Sequence, residues 1–238
     1  MHIRSNFEQE MHGLQDDLLL MGSMVEKQIG RSIEALRTLD REAAQRVVDA
    51  DDEIDALRYR IEEQAIQIIA TQQPMASDLR AIIAALNMIV DMERMGDHAE
   101  GIAKIALMHG DQPLVKPLVD LPRMATVAAR MLRNALDAFV ARDAEAARKV
   151  GEEDDEIDDL YEQVYRELLT YMLSDPRTID RATWLLWVAH NLERIADRAT
   201  NIAERVVFLV TGHMEQTNAH RPMGHSALGE AHQANGPS

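Results

Sequence analysis

The chain has 238 residues, of which 46% are hydrophobic and 28% charged, a balance that fits one or two globular domains rather than a disordered chain. Its net charge of −16 disfavours direct binding to nucleic acid or to an anionic membrane surface, since both need basic protein surfaces. The chain has no cysteine, which excludes disulfides and thiolate metal sites, so any metal would be bound through oxygen or imidazole.

Composition and hydropathy indicate the fold class and the expected location. Aromatic residues make up 4% of the chain, whereas alanine, leucine, methionine, arginine and glutamate recur throughout, a bias that favours helices over strands. Residues 1–17 lack the apolar core of a signal peptide, and no apolar run approaches the ~18 residues needed to span a bilayer. The sequence therefore predicts an all-α protein and, by default, a cytoplasmic location.

Three amphipathic helices are expected in the first half. Apolar residues step by three and four through residues 6–39, 41–71 and 76–108, which is the pattern of a helix with one buried face. The sequence Gln-Gln-Pro at residues 72–74 separates the second helix from the third, because proline breaks a helix.

The second half repeats this organisation. Helices are predicted at residues 121–141, 144–173 and 178–211, with Ser-Asp-Pro in the place of Gln-Gln-Pro. The DDEID sequence at residues 51–55 returns at residues 154–158, and MERMGDHAEGIA returns as LERIADRATNIA 100 positions later. Two tandem homologous three-helix bundles, with six long helices, are the simplest account of this duplication.

We accordingly expect three segments along the chain. Residues 1–110 and 111–212 are predicted to form the two three-helix units. Residues 213–238 show no periodicity and contain scattered glycine and proline, which predicts a disordered C-terminal tail.

Each repeat contains two acid pairs at i,i+4 spacing, which places both carboxylates of a pair on one helix face, about 5 to 6 Å apart at Cβ. Two such helices packed side by side could turn four carboxylates toward one space. Oxygen donors of this kind suit hard or borderline cations, such as magnesium, calcium, manganese or iron. The candidate metal ligands are Asp51, Asp55, Glu93 and Asp97 in the first half and Asp154, Asp158, Glu193 and Asp197 in the second.

The two candidate sites are not expected to be equivalent. In the second half the row of possible ligands continues along the same helix face to Asn201 and Glu204, whereas the matching positions of the first half are Gly101 and Lys104. His98 lies about 100° round the helix from the preceding aspartate and is interpreted as a partly buried or surface histidine rather than a ligand.

The run EEDDEIDD at residues 152–159 lies within the fifth predicted helix. In a continuous helix its like-charged pairs would cost roughly 1 to 4 kcal/mol, at about 0.2 to 0.5 kcal/mol per pair. The repeat assigns Asp154 and Asp158 to a cation site. Four further acids of the run are interpreted as solvated: Glu152, Glu153, Glu156 and Asp159.

Two alternatives stay open from the residues alone. Solvated acidic faces are common on helices, so a purely structural helical protein explains any single acid pair. A di-metal carboxylate enzyme or a metal-storage protein is the second alternative, but the ferritin-like pattern needs a Glu-x-x-His that neither repeat contains. No catalytic triad or glycine-rich phosphate loop is present in the sequence.

Taken together, these motifs resemble the PhoU family of phosphate-signalling regulators. The resemblance covers about residues 5–212 and rests on the doubled three-helix pattern, the paired DDEID segments, LERIADRATNIAERV with its near copy MERMGDHAEGIA, and the closing VVFLVTG. The first copy has Gly101 where the family often shows asparagine.

The resemblance implies a non-enzymatic, cytoplasmic and often homodimeric adaptor that represses phosphate uptake and phosphate-starvation signalling. Its partners would be the ATPase subunit of the Pst phosphate transporter and a PhoR-type histidine kinase, so the protein would reach the membrane through partners only. PhoU proteins bind iron or zinc through E/D-xxx-D motifs, and this carries the role of metal ligand to the eight carboxylates named above, with magnesium, calcium and manganese as further candidates.

Overall fold

The computed structural model describes residues 2–110 and 112–217, and every regular element within them is helical. The all-α prediction is therefore confirmed. The helices are α1 (His2–Thr38), α2 (Arg41–Gln72), α3 (Ser77–His109), α4 (Asp120–Ala141), α5 (Ala144–Glu152), α6 (Asp154–Ser174) and α7 (Ile179–Thr211), with a short 3-10 turn (Pro176–Thr178) before α7.

The helices form two similar groups around one hydrophobic core. The helices α1, α2 and α3 pack against one another, while α4, α5 and α6 pack around α7. The two groups join mainly through α3 and α7, and apolar side chains of both halves belong to a single buried cluster. As a result, the helices that carry the E-R-x-x-D segments lie at the centre of the molecule.

The duplication extends to the caps of the helices. Asp40 begins α2 by accepting a hydrogen bond from the Ala43 amide (2.9 Å), and the equivalent Asp143 begins α5 by accepting from two backbone amides. The residue before each cap, Leu39 or Arg142, has a φ near +50°, at 53° and 51° respectively. The two halves thus turn between their first two helices in the same way.

The fifth predicted helix is wrong as a single element, because it is interrupted at Glu153. Gly151, which has a low helix propensity, lies beside the break and packs so tightly that an added Cβ would lie 2.8 Å from Thr217. The acids that follow therefore occupy the first turn of α6, where the helix dipole favours negative charge. This relieves part of the repulsion expected from a continuous helix.

The acids around this break are also not all solvated as predicted. Glu153 accepts hydrogen bonds from Arg130 (2.8 Å) and Asn134 (2.7 Å) on α4, and Glu156 accepts from Arg130 (3.0 Å) and Arg123 (2.8 Å). Arginines of α4 therefore offset the charge of two acids that sequence reasoning assigned to solvent.

The predicted tail begins with a short segment that contacts the bundle. Arg148 on α5 donates two hydrogen bonds to Glu215, at 2.9 and 3.0 Å, and the Thr217 amide donates to Glu204 on α7 at 3.0 Å. The first residues of the predicted tail, 213–217, thus lie against α5 and α7. The remainder of the predicted tail, residues 218–238, lies outside the described residues.

A layer of polar side chains crosses the contact between α3 and α7. Asp91 on α3 accepts hydrogen bonds from Arg198 (3.4 Å) and Asn201 (3.3 Å) on α7. The equivalent residue on α7, Asn191, makes the reciprocal contact to His98 on α3, with its Oδ1 3.0 Å from Nδ1. Because each contact pairs position i of one repeat with position j of the other, the halves are related by an approximate two-fold axis.

The same polar layer explains why residue 101 is a glycine. This residue is the counterpart of Asn201, yet a Cβ at Gly101 would lie 3.3 Å from the Asn191 side-chain oxygen. The first half therefore contributes His98 and the backbone at Gly101 to this polar layer. The second half contributes the side chains of Arg198 and Asn201.

None of the described helices combines the length and apolar character needed to cross a membrane.

Candidate carboxylate sites

The first acidic group consists of Asp51 and Asp55 on α2 and Glu93 and Asp97 on α3. Burial raises the pKa of both α3 acids, and Asp55 raises them further across the helix contact. The fold therefore brings the two predicted pairs of this half together at one α2–α3 interface.

Asp51 is the most perturbed acid of the first group. Burial raises its pKa to about 6, with further upward contributions from Glu100, Asp97 and Asp55, and a hydrogen bond from Gln28 acts in the opposite direction. The Gln28 Nε2 atom donates to Asp51 Oδ1 at 3.0 Å. A carboxylate with few donors and several acidic neighbours is costly to keep ionised.

The guanidinium of Arg58 offsets part of this charge, in addition to that of Arg94 on α3 itself. Arg58 Nη1 lies 3.9 Å from Glu93 Oε1 and its Nη2 lies 3.9 Å from Glu62. The Arg58 side chain is 22% exposed, so the pair is screened less than a surface pair. The first acidic group therefore contains a cation of its own.

The second acidic group consists of Asp154 and Asp158 on α6 and Glu193 and Asp197 on α7. Burial raises the pKa of Asp158 to about 6, and Asp154, Glu193, Asp197 and Asp155 raise it further. All four predicted ligands of this half therefore interact electrostatically, and two of them, Asp154 (4% exposed) and Glu193 (8% exposed), are buried.

The neighbours of the second group differ from those of the first. Tyr161 occupies the position of Arg58, and its pKa is raised by burial and by the charge of Glu193. His190 Nδ1 lies 3.1 Å from Glu193 Oε2, whereas the equivalent residue of the first half is Val90. The second half thus has a phenol in the place of the always-charged arginine, and an imidazole in the place of a valine.

The predicted extension of the second site along α7 is wrong. Asn201 donates its hydrogen bond to Asp91 in the inter-half layer, and Glu204 accepts one from the Thr217 amide. Both side chains are therefore engaged away from the acidic group. The two groups are nevertheless unequal, because of the side chains that surround them.

The donor atoms fit a hard or borderline cation, since each group offers four carboxylates and the first also has the Gln28 amide beside it. Within residues 2–110 and 112–217, no three aspartate, glutamate or histidine side chains converge so as to hold a metal ion. Like charges move apart when nothing lies between them, so three or more of these carboxylates would have to change rotamer to share one cation.

Sequence reasoning missed the four side chains that make the groups different: Gln28, Arg58, Tyr161 and His190. Arg58 and Tyr161 follow the last aspartate of each DDEID by three residues, so aligning the repeats could have found them. Gln28 lies on α1, far from either motif, and no spacing rule points to it.

Comparison with known proteins supports a common origin for both halves. The family model of the PhoU domain matches residues 18–106 and again residues 121–206. The phosphate-specific transport system accessory protein PhoU homolog of Pseudomonas aeruginosa is 39% identical over 214 residues, covering 89% of this chain and 88% of that protein. The protein of the same description from Caulobacter vibrioides is 40% identical over 222 residues, covering 93% and 96% respectively.

Solved structures agree with these matches. The crystal structure of PhoU from Pseudomonas aeruginosa superposes with a TM-score of 0.82 at 38% identity, covering 87% of this chain and all (100%) of that one. The phosphate transport system regulatory protein PhoU from Streptococcus pneumoniae superposes with a TM-score of 0.81 at 32% identity, covering 88% and 99%. This chain belongs to the PhoU family.

Proposed function

We propose that the protein is an accessory and negative regulator of phosphate transport and phosphate-starvation signalling. Relatives at about 40% identity bear the description of phosphate-specific transport system accessory proteins, and the match covers nearly the whole length of both chains. In this proposal the protein is a cytoplasmic homodimer that docks on the ATPase subunit of a phosphate transporter and on a PhoR-type kinase. It binds no nucleic acid, consistent with its net charge of −16.

We further propose that each acidic group binds a divalent cation, such as iron, zinc or manganese. The observation that carries this proposal is the placement of four acids at one contact between α6 and α7, where Asp154 and Glu193 are buried and all three neighbours raise the pKa of Asp158. A fold that brings four carboxylates to one helix contact, with Asp154 and Glu193 buried, loses stability unless a positive charge offsets the repulsion. A bound cation would supply that charge. It would also hold α2 against α3 in the first group and α6 against α7 in the second.

The regulatory part of the proposal is tested by affinity capture of the tagged full-length protein from phosphate-replete and phosphate-starved cells. Transporter ATPase and histidine kinase are probed by mass spectrometry in both samples. We expect at least one of them to be recovered from replete cells. Recovery of neither partner under either condition would contradict the adaptor role.

The metal part is tested by elemental analysis of the purified protein, followed by dialysis against EDTA and titration with Zn²⁺, Fe²⁺ and Mn²⁺. A di-metal oxidase would consume oxygen with turnover when Fe²⁺ is added, whereas the proposed adaptor binds the metal without turnover. Identical melting of EDTA-treated and metal-supplied protein, together with no bound metal, would refute cation binding.

A further inference from the structure

One buried side chain of the first half has an acceptor without a partner. Gln28 on α1 is 4% exposed, and its Nε2 atom donates to Asp51 Oδ1 at 3.0 Å and to the Val47 carbonyl at 3.4 Å. Its Oε1 atom is buried and forms no hydrogen bond with the described residues. Buried side-chain oxygens normally have a partner, so this atom needs an explanation.

The orientation of the Gln28 amide is set by Asp51. Turning the amide over would bring Oε1 against Asp51 Oδ1, and two acceptors would then face each other. With Nε2 toward the carboxylate, Oε1 lies 3.5 Å from the position that a Cβ of Gly96 would take, and Asp51 Oδ1 lies 3.0 Å from the same position. Two oxygens of α1 and α2 thus approach α3 beside Asp97.

Gly96 permits this approach. A side chain at position 96 would crowd Asp51 Oδ1, because 3.0 Å is shorter than an ordinary contact to a Cβ carbon. The helix α3 therefore contributes a bare backbone surface, and the two oxygens occupy the space beside it. We define Gln28, Asp51 and Gly96 as the floor of the first acidic group.

The second half has a different floor. The positions that correspond to Gln28 and Gly96 are Met131 and Ala196, both of which are buried with 0% exposure. Methionine offers no oxygen donor, and alanine already carries the Cβ that Gly96 lacks. The duplication therefore provides a natural comparison for the role of the glutamine.

We propose that the Gln28 amide oxygen is a further donor to a divalent cation at the first acidic group, and that it shifts the relative affinity of this group from Zn²⁺ toward oxygen-seeking cations such as Mn²⁺. This inference rests on the cation binding proposed above. An amide carbonyl is a neutral, hard donor of the kind found around calcium and manganese. It adds a ligand without adding to the repulsion among the four carboxylates.

The test uses full-length protein in which the second group is disabled by Glu193→Ala and Asp197→Ala. Mn²⁺ alone is titrated into the EDTA-treated protein, and free Mn²⁺ is followed by electron paramagnetic resonance. Gln28→Met, which copies the second half, should weaken Mn²⁺ binding by about tenfold or more and should leave Zn²⁺ binding, measured by competition with a chelating dye, less affected.

A second variant tests whether Gln28 binds the cation or only positions Asp51. Gln28→Glu keeps an oxygen that can bind the cation but loses the Nε2 group that donates to Asp51. If Gln28 is a ligand, this variant should bind Mn²⁺ as tightly as before or more tightly. If Gln28 only positions Asp51, the loss of Mn²⁺ affinity should be as large as in Gln28→Met. Circular dichroism and thermal melting confirm that each variant is folded. Equal losses in the two variants would overturn the ligand assignment.

The remaining outcomes separate the inference from the proposal on which it rests. Suppose that the protein with the second group disabled binds Mn²⁺, and that Gln28→Met changes neither its affinity for Mn²⁺ nor its relative affinity for Mn²⁺ and Zn²⁺. The proposed role of Gln28 is then wrong, but cation binding at the first group is still supported. If that protein binds neither Mn²⁺ nor Zn²⁺, cation binding at the first group is wrong as well.

Discussion

The two acidic groups contain the same number of carboxylates at equivalent positions, but their surroundings differ in charge. In the first group Arg58 lies 3.9 Å from Glu93, and the Gln28 amide donates to Asp51. In the second group a tyrosine replaces the arginine, and Glu193 contacts His190, which is a cation only when protonated. Each group also has an arginine on its own E-R-x-x-D helix: Arg194 lies 3.4 Å from Asp197, and Arg94 lowers the pKa of Glu93 and Asp97. The first group therefore differs from the second by one additional guanidinium, that of Arg58.

This difference indicates how a duplicated site diverges without losing its acids. A built-in guanidinium competes with an added cation for the same carboxylates, since both respond to the same negative potential. We therefore expect the second group to bind divalent cations more tightly and to gain more stability from them. Its imidazole and phenol neighbours also suit zinc or iron, whereas the amide of the first group suits harder cations.

The largest expected effect is on metal-dependent stability. A cation present at about 100 times its dissociation constant stabilises the folded state by about 2.7 kcal/mol, which corresponds to a rise of about 5 to 10 °C in melting temperature. Glu193→Ala with Asp197→Ala should abolish most of this rise, measured as the difference between EDTA-treated and metal-supplied protein by calorimetry.

The matched variant for this experiment is Glu93→Ala with Asp97→Ala in the first group. We expect it to lose a smaller part of the metal-dependent rise. Equal losses in the two double variants would show that the neighbouring arginine and tyrosine do not distinguish the groups.

The next effect tests the arginine directly. Tyr161→Arg gives the second group the cation of the first and should weaken Zn²⁺ binding there by about tenfold, or about 1.4 kcal/mol. Arg58→Tyr should strengthen binding at the first group. Isothermal titration of both variants, each with the other group disabled, checks the prediction, and changes of the same sign in both variants would contradict it.

A smaller effect concerns pH and the metal-free protein. The pKa of Asp158 is raised from 3.8 to about 6, so its contribution to stability is fully present below about pH 4 and is lost as the pH rises through 6. Asp158→Asn, which cannot ionise, should therefore melt higher than the wild type at pH 7.5 by about 2 to 4 °C, after allowance for screening of a partly exposed group.

The control for this prediction is the same pair of proteins at about pH 3, well below the ordinary pKa of 3.8, where Asp158 is mostly uncharged in both the folded and the unfolded chain and the two melting temperatures should nearly agree. Asp51→Asn should behave in the same direction, since its pKa is also raised to about 6. A metal-free Asp158→Asn protein that melts lower than the wild type at pH 7.5 would show that the carboxylate is stabilising as it stands.

The smallest expected effect lies at the start of α6. Arg130→Ala removes hydrogen bonds to Glu153 and Glu156, but its side chain is 43% exposed, so the loss should be about 0.5 to 1 kcal/mol. The first half has Lys27 at the equivalent position and an uninterrupted α2. Chemical denaturation measures the loss of unfolding free energy in Arg130→Ala and in Lys27→Ala. A larger loss for Lys27→Ala would contradict the proposal that Arg130 offsets the charge of Glu153 and Glu156.

The fold could be predicted largely from the sequence, because apolar periodicity and the internal repeat both depend on residues close together in the chain. The ends of α2, α3 and α4 fall within one residue of those expected. The break at Glu153 was missed because it depends on distant partners, namely Thr217 packed on Gly151 and arginines of α4. Contacts of this kind leave no local pattern.

The candidate sites were predictable only as sets of acids. The i,i+4 spacing places Asp154 with Asp158 on one helix and Glu193 with Asp197 on another, and the fold brings the pairs together. The charge balance around them depends on Arg58 and on its replacement in the second half, which follow from helix packing rather than from a motif. The assignment of the eight carboxylates as metal ligands stays a prediction.

The central claim is that the two acidic groups bind divalent cations unequally, and isothermal titration of EDTA-treated wild-type protein with Zn²⁺ tests it most directly. We predict two classes of binding site, with the tighter class removed by Glu193→Ala and Asp197→Ala and the weaker class removed by Glu93→Ala and Asp97→Ala. A single class of equivalent sites, or no binding, would contradict the account.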